Sequence, residues 1–111
     1  MGLRQEKIAT LVKKELSILF QEKGMRAYDG TMVTVTVVRV SPDLGVAKAY
    51  LSLFTQKDKN DILDLIKADV NWFKNEIAKK VKNQLRKMPD LIFYLDDSLD
   101  KAEEIDNLLK K

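Results

Sequence analysis

Lys79, Lys80, Lys82, Arg86 and Lys87 crowd the stretch between Ile77 and Pro89, which holds no acidic residue, in a chain whose 20 basic residues are nearly balanced by 17 acidic ones. Clustered Lys and Arg suit phosphate. Each phosphate they neutralise releases condensed counterions, which favours association without requiring any particular base. Helical spacing puts Ile77, Val81, Leu85 and Met88 on one side and predicts that the five cations cover the opposite, solvent-facing side. A plain solvated helix exterior has the same pattern, so the run by itself leaves polyanion binding and simple solubility both open.

Other chemistries lack their parts. The chain has no His and no Cys, which removes Ser-His-Asp and Cys-His nucleophile systems, an imidazole general base, the usual zinc ligand sets and disulfides. Its glycines, Gly2, Gly24, Gly30 and Gly45, form neither the phosphate-binding P-loop nor the dinucleotide fingerprint. The expectation is a protein with no catalytic residue, no metal, no cofactor and no small-molecule substrate. Asp96 and Asp97 are adjacent carboxylates, but with Ser98 behind them they read as a helix start, where side-chain oxygens and negative charge suit exposed amides. A length of 111 residues with 45% hydrophobic content predicts one domain over 1–111, and a net charge of only +3 puts the signal in the arrangement of charge. No apolar run approaches the roughly 20 residues of a membrane span and no secretory leader opens the chain, which predicts a soluble cytoplasmic protein without a membrane partner.

The elements that must position these side chains follow from periodicity. From Leu3 to about Lys23, Ile8, Leu11, Val12, Leu16, Leu19 and Phe20 recur at helical spacing, and Gly24 follows where a left-handed cap is favoured. The segment to Gly30 reads as a loop. Met32 to Val40 is β-branched, with Val33, Val35 and Val37 alternating against Thr34 and Thr36 until Val38 and Val40 break the phase, which predicts a bulge or burial on both faces near Val37. Ser41 to Gly45 turns the chain, with Pro42 and Gly45 as its restricted and permissive positions. The next run, VAKAYLSLF, places Ala47, Ala49, Leu51 and Leu53 on one face, and the two strands make an antiparallel hairpin. From Asp58 to Met88 the stripe Ile62, Leu65, Ile66, Val70, Phe73, Ile77, Val81, Leu85 and Met88 is helical but long for so small a domain, so a kink is expected at Asp69, Val70 and Asn71. Pro89 ends that helix, Leu91 to Leu95 reads as a largely buried third strand, and an acidic last helix carries Leu99, Ala102, Ile105, Leu108 and Leu109 on one side.

The predicted order is helix-strand-strand-helix-kink-helix-strand with a short C-terminal helix, an α+β arrangement in which helices cover one face of a small mixed sheet. Two motifs stand on these elements. Ser41, Asp43, Leu44, Ala47, Lys48, Tyr50 and Ser52 read S-x-D-L-x-x-A-K-x-Y-x-S across the hairpin, and Pro89, Leu91, Phe93, Asp96 and Ser98 read P-x-L-x-F-x-x-D-x-S at the third strand. In that order, behind the helix from Arg4-Gln5 to Leu16, they make the chain resemble the ribosome-binding factor A family, a type II KH-like fold, from about Arg4 to Leu109. The resemblance implies a factor that assists maturation of the small ribosomal subunit by binding its rRNA, and we expect it to act as a monomer. KH domains that grip single-stranded RNA use a G-x-x-G loop between their central helices, and no glycine follows Gly45 here. The family likewise lacks that loop and usually has an Ala-x-Gly kink in its place; Asp69, Val70 and Asn71, beside Ala68, align with it.

The expected RNA-binding residues are Lys79, Lys80, Lys82, Arg86 and Lys87. Arg4, Lys7, Lys13 and Lys14 are interrupted by Glu6 and Glu15 and read as solvated. Trp72, flanked by Val70 and Phe73, reads as core or boundary packing in preference to base stacking. Arg39 and Lys48 either touch RNA or keep an exposed sheet face soluble. The alternative function is a protein-interaction domain that docks a basic partner through its acidic C-terminal helix, without direct RNA binding.

Overall fold

The computed structural model describes residues 3–96, in the order α1 (Leu3–Lys23), a 3-10 turn (Met25–Tyr28), β1 (Met32–Val40), β2 (Val46–Phe54), α2 (Lys59–Ala68), α3 (Val70–Val81) and β3 (Asp90–Leu95). The acidic last helix expected after Ser98 lies outside the described residues, as do Asp97 and Ser98 themselves. β2 is central in a three-stranded mixed sheet, antiparallel to β1 and parallel to β3. A parallel neighbour requires a crossover, which α2 and α3 supply.

One face of the sheet is buried and the other open. Inward residues are Val35, Val38 and Val40 of β1, Ala47, Ala49, Leu51 and Leu53 of β2, and Leu91 and Phe93 of β3. The alanines lack bulk where α1 and α3 approach, and the space is filled by Phe20, Phe73 and Phe93, whose ring centroids lie 4.7 to 6.2 Å apart in tilted and edge arrangements. β1 keeps its inward phase through a bulge between Val35 and Val37, where Thr36 Oγ1 donates to the Tyr50 carbonyl at 3.2 Å. Val37, expected on the inward face, is thereby turned outward opposite Tyr50. β3 is not buried on both faces: Ile92 and Tyr94 are each 37% exposed on the open side.

The hairpin turn explains its motif. Ser41 Oγ donates to Asp43 Oδ1 at 2.7 Å and accepts the amides of Gly45 and Val46, while Asp43 Oδ1 also accepts from Gly45. These bonds hold the Asp43 carboxyl below the usual carboxylate range, the Ser41 hydroxyl contributing most. The left-handed backbone position belongs to Leu44, at φ 61°, and not to Gly45. Gly45 serves close approach instead, since a Cβ there would meet Asp43 Oδ1 at 3.2 Å.

Two helical expectations shift. Asp58 caps α2 by accepting from the amides of Asn60 and Asp61. Within α2 the buried residues are Ile62, Leu63 and Ile66, while Leu65 is exposed, because the stripe of α2 is set by its own packing and does not run in phase through the break at Asp69. α3 stops at Val81, eight residues before Pro89. Its C-terminal carbonyl is taken by turn bonds from the amides of Gln84 and Leu85 to Val81, and the chain must leave the helix there to enter β3 parallel to β2. The entry is fixed by the Asp90 amide on the Gly45 carbonyl at 2.9 Å and by Lys74 Nζ on Asp90 Oδ1 at 2.6 Å.

Candidate nucleic-acid interface

The expected basic helix face is helical only in part. Lys79 and Lys80 occupy the last turn of α3, Lys82 caps it, and Arg86 and Lys87 stand on the irregular segment leading to β3. The cations also differ in company. Lys79 Nζ lies 2.9 Å from Glu76 Oε2, and Lys80 Nζ lies 3.5 Å from Glu15 Oε1. Each pair sets a carboxylate beside an ammonium and reduces its pull on a phosphate, and the Lys79 pair, the more exposed of the two, is worth under about 1 kcal/mol. Lys82, Arg86 and Lys87 make no close ion pair among the described residues and all three are exposed, although Lys87 stands near enough to Asp43 and Asp90 to help lower both carboxyls.

Leu85 organises their surroundings. Half-buried against the core, it lines three adjoining concavities of about 410, 290 and 140 Å³. The smallest is shared with Lys82 and Arg86, the next with Arg4, Arg86 and Lys87, and the largest with Arg4, Lys7 and Lys14. Three of the four α1 cations read above as merely solvated, Arg4, Lys7 and Lys14, therefore join the Lys/Arg segment across Leu85. A signal for this was present: Arg4, Lys7, Leu11 and Lys14 recur at helical spacing on one side of α1, clear of Glu6. Glu15, which seemed to interrupt them, is half-buried and paired with Lys80. What could not be read from spacing was that Leu85 would meet this side.

The break between helices is built differently. Asp69 alone separates α2 from α3, with φ −96° and ψ 9°, and its amide donates to the Ile66 carbonyl. Its carboxylate accepts from the Tyr28 hydroxyl at 2.8 Å and faces Lys23 Nζ at 3.7 Å. Burial, reinforced by the Asp69 carboxylate, raises the Tyr28 phenol far above its ordinary value, so it remains a donor. Lys23 also lies 4.3 Å over the Trp72 ring, which packs edge-on against Phe73 while leaving 39% of the residue exposed. Val70 is half-buried at the first position of α3. Asn71 is exposed within that first turn and does not take the left-handed backbone of a glycine, since Asp29 and Leu44 are the non-glycine residues with positive φ among those described.

On the open sheet face Arg39 stands directly opposite Lys48, and Tyr50 stacks on Tyr94 at 5.3 Å. Among the described residues no cluster of carboxylates could hold a metal ion, and no helix is long and apolar enough to cross a membrane.

Comparison with known proteins bears on this arrangement. The sequence model of the family described as ribosome-binding factor A matches residues 4–109. A Cytophaga hutchinsonii protein named ribosome-binding factor A is 40% identical over 110 residues, covering 99% of this chain and 83% of the relative. The crystal structure of ribosome-binding factor A from Thermus thermophilus superposes with a TM-score of 0.68 at 22% identity, covering 86% of this chain and 97% of the other. Coordinates for the Thermus thermophilus factor fitted into a cryo-EM map of its 30S complex give a TM-score of 0.63 at 22% identity, over 78% of this chain and 88% of that one.

Proposed function

The chain belongs to the ribosome-binding factor A family, and from that premise we propose that it assists maturation of the small ribosomal subunit by binding its rRNA. The observation that carries the choice of surface is the meeting of Lys82, Arg86 and Lys87 with Arg4, Lys7 and Lys14 around Leu85. Cations drawn from two separate parts of the chain form a strip whose members make no close ion pair among the described residues, with Asp43 at its edge acting on Lys87, and this excess of positive charge suits a folded backbone of phosphates. Lys79 and Lys80, offset by Glu76 and Glu15, contribute less. The 30S complex of the Thermus thermophilus factor supports the small subunit as partner.

The protein acts as a cytoplasmic monomer of one domain, by binding and not by chemistry. The side chains of the strip stand on a sheet-backed scaffold, so they hold one rRNA conformation better than a competing one. Binding shifts the balance between an immature and a mature subunit by the difference in those two affinities and by nothing more.

Co-sedimentation with precursor and mature small subunits, with large subunits as control, tests this reading. Retention on small subunits that weakens steeply with salt is the expected result. Failure to sediment with either form of the small subunit overturns it.

A further inference from the structure

The groove between α1 and the segment after α3 has a composition that goes beyond phosphate binding. Its floor is apolar: Ile8 is buried, and Leu11 and Leu85 are half-buried. Its rim carries three cations of α1, Arg4, Lys7 and Lys14, and the described lining includes no acid. Gln84 and Thr10 add an amide and a hydroxyl at the edge, which between them donate and accept hydrogen bonds. The volume of about 410 Å³ falls within the range of sites that take small molecules.

An RNA nucleotide joins the same three features in one ligand. The ring face is apolar enough to lie on aliphatic carbon or on an Arg plane, the ring edge carries donors and acceptors, and phosphates flank it on both sides. Arg4 and Lys14 are ten residues apart on one helix, about 15 Å along its axis, so cations stand on either side of the floor. Bases inside a duplex are stacked and cannot enter a groove. The ligand must therefore present an unpaired base.

We infer that this groove holds one bulged or single-stranded RNA nucleotide, its base laid on Leu85 and Leu11 and its flanking phosphates held by Arg4, Lys7 and Lys14. The inference rests on the rRNA-binding reading and narrows it to recognition of an unpaired base at one place in the interface.

The test uses the full chain and three fluorescein-labelled RNA hairpins that differ at one position: a bulged uridine, an abasic bulge, and no bulge. Anisotropy titration at one salt concentration should show the uridine bulge bound about tenfold tighter than the other two, a difference of about 1.4 kcal/mol. Leu85→Ser removes part of the floor and should abolish that preference. Because Leu85 also packs on the core, Thr10→Glu provides a second variant: it projects a carboxylate into the groove from an exposed position and should abolish the preference with the fold unchanged. Arg4→Gln with Lys7→Gln should weaken all three RNAs alike.

Equal affinity of the unaltered chain for the three hairpins would overturn the inference, as would a preference that survives both Leu85→Ser and Thr10→Glu. Displacement of the bulged RNA from the groove by a peptide of sequence 96–111, at lower concentration than competing RNA requires, would assign the groove to an acidic peptide and overturn it too. Co-sedimentation with small subunits is run on the same preparation. A chain that sediments but does not discriminate loses only the nucleotide site, whereas one that does not sediment loses the rRNA reading as well.

Discussion

The Tyr28 hydroxyl donates to Asp69 Oδ2 at 2.8 Å across 41 residues of sequence, tying the turn after α1 to the one residue that separates α2 from α3. The break is therefore held by side chains. Without glycine between the helices, its geometry depends on a buried phenol from below and on Lys23 beside it, which contacts both Asp69 and the Trp72 ring.

Tyr28→Phe should accordingly destabilise the fold by about 1 to 2 kcal/mol, the usual net worth of a hydrogen bond to a charged acceptor when it is only partly shielded. Asp69→Asn should cost a similar amount. Urea denaturation of both singles and the double checks this. A double variant no worse than either single is expected, because both singles remove the same bond, whereas full additivity would show that the two residues act separately.

Core truncation should separate the helical positions that periodicity confused. Phe73→Ala and Phe93→Ala empty the aromatic cluster and should each cost about 3 to 5 kcal/mol. Leu65→Ala, at an exposed position, should stay within about 0.5 kcal/mol of the unaltered chain. Comparable losses at Leu65 and Phe73 would contradict the packing.

The strands were readable because alternation is local: the phase break at Val38 announces the bulge, and Ser41 and Asp43 form their turn within five residues. The end of α3 was not. Val81, Leu85 and Met88 keep helical spacing after the helix has stopped, since turns deliver Leu85 and Met88 to the core as well as a helix would. The same limit applies to the interface. The Lys/Arg run was visible, but which cations Glu76 and Glu15 offset, and which side of α1 Leu85 meets, are set by tertiary packing that spacing does not encode.

Acid should loosen the start of β3. The Lys74 ammonium, bonded to Asp90, holds that carboxyl below the usual carboxylate range. A depressed native value means that the unfolded chain binds the proton more readily, so this contribution is present above the ordinary Asp value, about pH 4, and fades as pH falls through the lower native value. Lys74→Gln should flatten the stability profile on the acid side. Asp90 is exposed and Lys74 only half-buried, so the change is expected to be small, and an unaltered acid slope in Lys74→Gln would remove the pair from the account.

Charge removal should distinguish free cations from offset ones. Replacing Lys82, Arg86 and Lys87 together by Gln should weaken small-subunit binding and make its log-log salt slope shallower by about 2 to 3, because each lost phosphate contact takes about 0.7 to 0.9 from the slope. Replacing Lys79 and Lys80 by Gln should change the slope by less, since Glu76 and Glu15 already offset them. All these positions are exposed, so denaturation midpoints should move little. The comparison carries its own rival. If the triple variant binds with unchanged affinity and slope while Glu103→Gln with Glu104→Gln weakens binding, the subunit is held through the acidic C-terminal segment, and the cationic strip is only a solvated surface.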